Sequence, residues 1–133
     1  MHKARQGKEL VLRTANDINA LAKLSKVISE RGLNILAMSC WEEGGEAVIR
    51  LVTDDMLRTT DVLRENGHDS DEKDVVLVDA VHKPGILRHI TDVLAKQDLA
   101  LSHLFGSATL NQDECLVVLN CSDNERAIVL LND

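Results

Sequence analysis

The chain has 133 residues, enough for one ordinary domain or two very small ones, and 44% hydrophobic residues can fill a core. A formal net charge of −7 disfavours nucleic-acid binding, which takes a concentrated basic face, and no stretch nears the roughly 20 apolar residues of a membrane span. Cys40, Cys115 and Cys121 lack CxxC spacing, which excludes a disulfide framework and a zinc site, and each is expected to pack in a sheet as a small apolar residue.

The first strand-like run is ELVLRT (9 to 14). A helix follows, with Leu21, Leu24, Val27 and Ile28 on one face. LNILAMSCW then reads as a second strand, EEGG (42 to 45) as a turn and EAVIRLV (46 to 52) as a third strand. A second helix has Asp54 as its expected N-cap, Met56, Thr60 and Leu63 as its stripe, and Gly67 as its stop. The acidic stretch DSDEKD (69 to 74) reads as a solvated linker, lacking the spacing of a calcium loop.

The same order then returns. DVVLVDAV (74 to 81) is a strand rich in β-branched residues, and the helix after it carries Leu87, Ile90, Val93 and Leu94 at the spacing of the first. Leu21 and Leu87, Val27 and Val93, and Leu33 and Leu99 all align when residue 21 is set against residue 87. LALSHLFGSAT, a turn at LNQD (110 to 113) and ECLVVLN (114 to 120) follow, and Ser122 to Glu125 reads as a capping box before RAIVLL. Each half is β-α-β-β-α, and the chain is read as an internal duplication. A fourth strand would complete the ferredoxin-like plait, but HDSDEK (68 to 73) is too polar for a central strand and the second half stops at Asp133. Uncovered edges of this kind favour packing of the halves and dimerisation of the chains.

The only proline, Pro84, stands before Gly85 at the start of the second repeat's helix. Proline suits the first helical position, and a glycine beside it leaves the helix N–H donors open to a carboxylate or phosphate. The dipeptide alone equally describes a strand-to-helix turn with no ligand.

VLVDAVHKPGILRHITDVLAKQDLAL resembles the opening of an ACT domain: a strand, an Asp/Asn-x-Pro-Gly-x-Leu turn, an amphipathic helix, and Gly-Ile/Val-Asn-Ile leading into the next strand. The first repeat matches the complementary part in ERGLNIL (30 to 36), with Gly32, Asn34 and Ile35, and has Ile18-Asn19 in place of Pro-Gly. The second keeps Pro-Gly but has Asp98 and Ala100 where Gly and Asn are expected. The whole is similar to a stand-alone tandem ACT protein, with repeats at 8–72 and 73–133, the second truncated before its last strand.

The resemblance implies an α+β fold of two ferredoxin-like ACT repeats packed side by side, with fourth strands weak or missing. It implies an allosteric, non-catalytic regulatory module that binds a small molecule, most often an amino acid, at the interface of the repeats. The implied ligand-binding residues are Asn16, Asp17, Ile18 and Asn19 in the first turn, Asn34 and Ile35 at the start of the second strand, and His82, Lys83, Pro84, Gly85 and Ile86 in the second turn. No cofactor or metal is called for. The expected partners are an amino acid, a metabolic enzyme or regulator and a second copy, in the cytoplasm, with no nucleic acid and no membrane.

The plait topology hosts other functions, so the site has to decide. An RNA-recognition domain needs stacking aromatics, and this chain has one Trp, one Phe and no Tyr. His82, His89 and His103 have no spacing that fixes a metal, and HKPGILR does not resemble an acylphosphatase loop. The alternative kept is a protein-interaction or oligomerisation subunit that docks on an enzyme without binding a ligand.

Overall fold

The computed structural model describes residues 2–108 and 113–133, and its elements alternate as β1 (His2–Ala15), α1 (Ile18–Glu30), β2 (Ile35–Glu43), β3 (Glu46–Thr53), α2 (Met56–Glu65), β4 (Asp71–Val81), α3 (Ile86–Lys96), β5 (Leu101–Ala108), β6 (Glu114–Cys121) and α4 (Asn124–Asn132). The turn expected at 110 to 113 lies, but for Asp113, outside the described residues. Two compact units result, Lys8–Lys73 and a second made of residues 2–7 with Asp74–Asp133.

In the first unit β3 lies between β1 and β2, antiparallel to both. The register sets Leu10 against Leu51 and Leu12 against Ile49, and because side chains alternate along a strand these four share one face. Leu24 and Ile28 of α1 and Val62 and Leu63 of α2 close over that face. Gly44 and Gly45, between the paired Glu43 and Glu46, turn the chain from β2 to β3, both at positive φ. On the opposite face Glu9 is fully buried, and its carboxylate is ion-paired with Arg50, whose guanidinium lies 5.5 Å from the Trp41 ring.

In the second unit β6 lies between β4 and β5, and Val76, Val78, Val117 and Leu119 share the core face with Ile90 and Leu94 of α3 and Ala127 and Leu131 of α4. Ala4 belongs to this core, although nothing in HKARQGK carries a strand's hydrophobic alternation. The segment is held by its backbone: the Ala4 N–H donates to Asn132 Oδ1 and Asn132 Nδ2 donates to the Ala4 carbonyl, both at 2.7 Å, while Arg5 pairs with Asp79 at 2.9 Å. β4 likewise starts at Asp71, three residues before the apolar run, so part of the expected acidic linker is strand.

The two units share a hydrogen-bond pattern. In the first unit Asn34 and Asp54 are bridged through the backbone of each, Asp54 N–H to the Asn34 carbonyl and Asn34 N–H to Asp54 Oδ1, both at 3.1 Å, and Asn34 Nδ2 adds a third bond to Asp54 Oδ2. In the second unit Ala100 and Ser122 repeat the bridge through the Ser122 N–H and Oγ, at 2.8 and 3.1 Å. These bridges correct the expected caps. Asp54 and Ser122 hold the residues that lead into β2 and β5, and the carboxylates one residue later, Asp55 and Asp123, cap α2 and α4 by accepting from the N–H three residues on. Asp98, standing where the motif has glycine, adopts the left-handed backbone itself at φ +55, as Gly32 does at φ +71.

Candidate functional site at the β4–α3 turn

The turn from β4 into α3 carries the second group of expected site residues, His82 to Ile86. The proline is not the first helical residue as expected. α3 opens at Ile86, and Gly85 is its N-cap, at φ +97 and ψ −5. Nothing lies within 4 Å of where a Cβ would stand on Gly85, so its glycine is required by backbone conformation and not by a close neighbour.

The Gly85 cap contributes no side-chain hydrogen bond, whereas Asp17, Asp55 and Asp123 each place a carboxylate on the first turn of α1, α2 and α4. The opening N–H groups of a helix lack intrahelical acceptors and carry the positive end of the helix dipole. Beside the start of α3, where the Ile86 N–H donates to the Lys83 carbonyl at 3.4 Å, lies a cavity of about 310 Å³ lined by His2, Val81, Lys83, Pro84, Gly85, Ile86 and His89. Its polar side chains are two imidazoles and an ammonium. The His2 ring donates from Nε2 to the Leu131 carbonyl and sits 4.7 Å, centroid to centroid, from the His89 ring. His82 faces a second cavity, of about 270 Å³, with Leu87, Leu104, Gly106, Ser107, Cys115 and Val117. The turn therefore runs between a basic cavity and a mainly apolar one, both within the second unit.

The first group of site residues lies in the other unit. Asp17 Oδ1 accepts from the Asn19 N–H at 2.9 Å, Ile18 is strongly exposed, and Asn16 lies one residue before the cap. Asn34 is engaged with Asp54 through both its backbone and its Nδ2, at 3.1 Å each, and Ile35 is exposed on β2. The structure brings Lys83, Pro84, Gly85 and Ile86 together around one cavity and does not gather Asn16 to Asn19 with Asn34 there.

Sequence reasoning missed His2 and gave His89 no place in this site. His89 is one helical turn past Gly85, so helix geometry alone would have placed it near the turn. His2 had no such signal, being 80 residues before His82 in the numbering. Among the described residues no group of three or more His, Cys, Asp or Glu is arranged to hold a metal, and no helix is long and apolar enough to cross a membrane.

No family model matches the chain, and no curated protein matches it. Solved structures do. A protein from Bacteroides thetaiotaomicron superposes with a TM-score of 0.87 at 21% identity, covering 97% of this chain and 88% of that one. Aspartokinase alpha and beta subunits follow at 0.67 and 15%, covering 98% and 95%, and the ligand-free regulatory subunit of aspartate kinase from Thermus thermophilus at 0.67 and 13%, covering 97% and 94%. The fold is ACT-like. At these identities the likeness is one of architecture.

Proposed function

We propose that this chain is a non-catalytic, cytoplasmic regulatory protein, a pair of ACT repeats at 8–72 and 73–133, that binds a free amino acid at the β4–α3 turn. The observation that carries the reading is the α3 N-terminus, uncapped by any side chain and opening on a cavity whose polar lining is His2, Lys83 and His89. An α-carboxylate there accepts from backbone N–H groups in the helix dipole and meets the Lys83 ammonium. The apolar cavity on the other flank of the turn can take a side chain. Supporting the regulatory role, solved neighbours with this fold include a regulatory subunit and a C-terminal regulatory domain of aspartate kinase.

The site is single. At the matching turn of the first unit the Asp17 carboxylate already occupies the helix N-terminus, and a second anion there would meet like charge. Ligand binding shifts the chain between two packings of different affinity, and a metabolic enzyme docked on it reads the change.

Thermal unfolding against each of the twenty amino acids at millimolar concentration tests this. A ligand at 100 times its Kd adds about 2.7 kcal/mol, a shift of several degrees. One amino acid should raise the midpoint, and Lys83→Met should remove most of the rise while leaving the ligand-free midpoint in place. No rise with any of the twenty would overturn the reading.

A further inference from the structure

A ferredoxin-like plait carries its fourth strand beside its first. In the second unit that place, along β4 on the side away from β6, is taken by residues 2–7 of β1. Apolar burial holds this strand weakly, since Ala4 is its one buried residue and a single methyl side chain removes little surface from water. The remaining hold is polar and sits at a few points. Asn132 of α4 clamps the Ala4 backbone through two hydrogen bonds of 2.7 Å, His2 Nε2 donates to the Leu131 carbonyl, and Arg5 meets Asp79 of β4 at 2.9 Å in a half-exposed ion pair. Segments with few buried apolar contacts are the ones that open locally while the rest of a fold stays closed.

His2 belongs to two structures at once. Its Nε2 is tied to the last turn of α4, and its ring packs against His89 of α3 at 4.7 Å between centroids. The cavity at the β4–α3 turn takes every other part of its lining from one continuous stretch, Val81 to His89, and only the His2 wall comes from elsewhere. That wall exists while residues 2–7 are docked. Releasing them removes a ring from the cavity and a packing partner from His89.

We propose that residues 2–7 are a releasable closing strand of the second unit, coupled through His2 to the β4–α3 turn. A ligand shifts an equilibrium only by contacts that one state has and the other lacks, and His2 is such a contact. A molecule that touches it in the cavity binds the docked form more tightly, and by linkage its binding holds the strand down. The two packings between which the protein switches are then the docked and the released strand. The inference rests on the amino-acid reading only for what fills the cavity.

Amide hydrogen exchange of the intact chain, read residue by residue by NMR, tests the coupling without a ligand. Asn132→Ala removes both bonds to Ala4 and should speed exchange at the distant His89 N–H, which donates to the Gly85 carbonyl at 2.9 Å, by about fivefold or more. His89→Ala should in turn speed exchange across residues 2–7. With His2→Ala already in place, Asn132→Ala should leave the His89 rate where it was, whereas a general loss of stability would raise it in both backgrounds. A His89 amide that Asn132→Ala does not move, or moves equally without His2, overturns the proposal. An equimolar mixture of the twenty amino acids at millimolar concentration should slow exchange at His89 and at residues 2–7 together. Slowing at His89 alone keeps the amino-acid site and overturns the strand's part in it. The ligand-free coupling with no response to the mixture supports the strand and strikes the amino-acid reading.

Discussion

Substitutions at Gly85 separate backbone strain from crowding, because the two give opposite orders. The residue sits at φ +97 with no atom within 4 Å of a built Cβ, so an added side chain meets open space while its backbone is forced where L residues are disfavoured. A strained residue of this kind costs about 1–3 kcal/mol, offset by the ~0.4–1 kcal/mol that any non-glycine residue gains by restricting the unfolded chain. Gly85→Ala should therefore destabilise by about 1–2 kcal/mol, or very roughly 4–15 °C in midpoint for a domain of this size. Asparagine tolerates positive φ better than alanine, and valine worse, so the loss should rise in the order Asn, Ala, Val. Crowding would instead spare alanine and penalise asparagine. Thermal unfolding followed by circular dichroism, without ligand, reads the order. A neutral Gly85→Ala, or an asparagine variant less stable than the alanine one, refutes the backbone account.

Gly7 is the opposite case: a Cβ there would stand 2.5 Å from Leu77 Cδ1, so Gly7→Ala should destabilise alone and lose much of that effect in a Leu77→Ala background, as a double-mutant cycle in urea would show. Arg50→Met leaves the fully buried Glu9 carboxylate without its guanidinium and should cost on the order of 3–5 kcal/mol, with Glu9→Leu added in the same chain restoring most of it. Asp55→Ala removes the α2 cap and should cost about 1 kcal/mol by chemical denaturation, whereas the same loss from Asn19→Ala would be unexpected, since the Asp17 cap accepts from a backbone N–H.

The helices were legible because their apolar residues repeat at helical spacing: Leu24 and Ile28, and their counterparts Ile90 and Leu94, are buried in α1 and α3. β4 was legible for a complementary reason, its nearly continuous run of β-branched residues from Val75 to Val81. The caps were misplaced by one residue because Asp54-Asp55 and Ser122-Asp123 each offer two competent groups, and only the folded chain shows that the first is engaged with Asn34 or Ala100. Residues 2–7 and 71–73 carry no hydrophobic pattern, and backbone pairing draws such polar segments into a sheet without leaving a trace in the sequence. Cys40 was expected to pack in a sheet, and being on an outer strand it is exposed. At the site, Pro84-Gly85 marked the turn, while the histidine that joins it from β1 arrives through tertiary structure alone.

The double hydrogen bond between Ala4 and Asn132 spans 128 positions of sequence. Its consequence is one of timing. During synthesis the first unit has every residue it needs once Lys73 has emerged, but residues 2–7 must wait for α4 before their last partners exist. Contacts this distant in sequence are the slow ones in folding, because the loop must close before they contribute anything. The second unit thus draws on segments far apart in the chain, and closure of Ala4 on Asn132 is expected late in its folding.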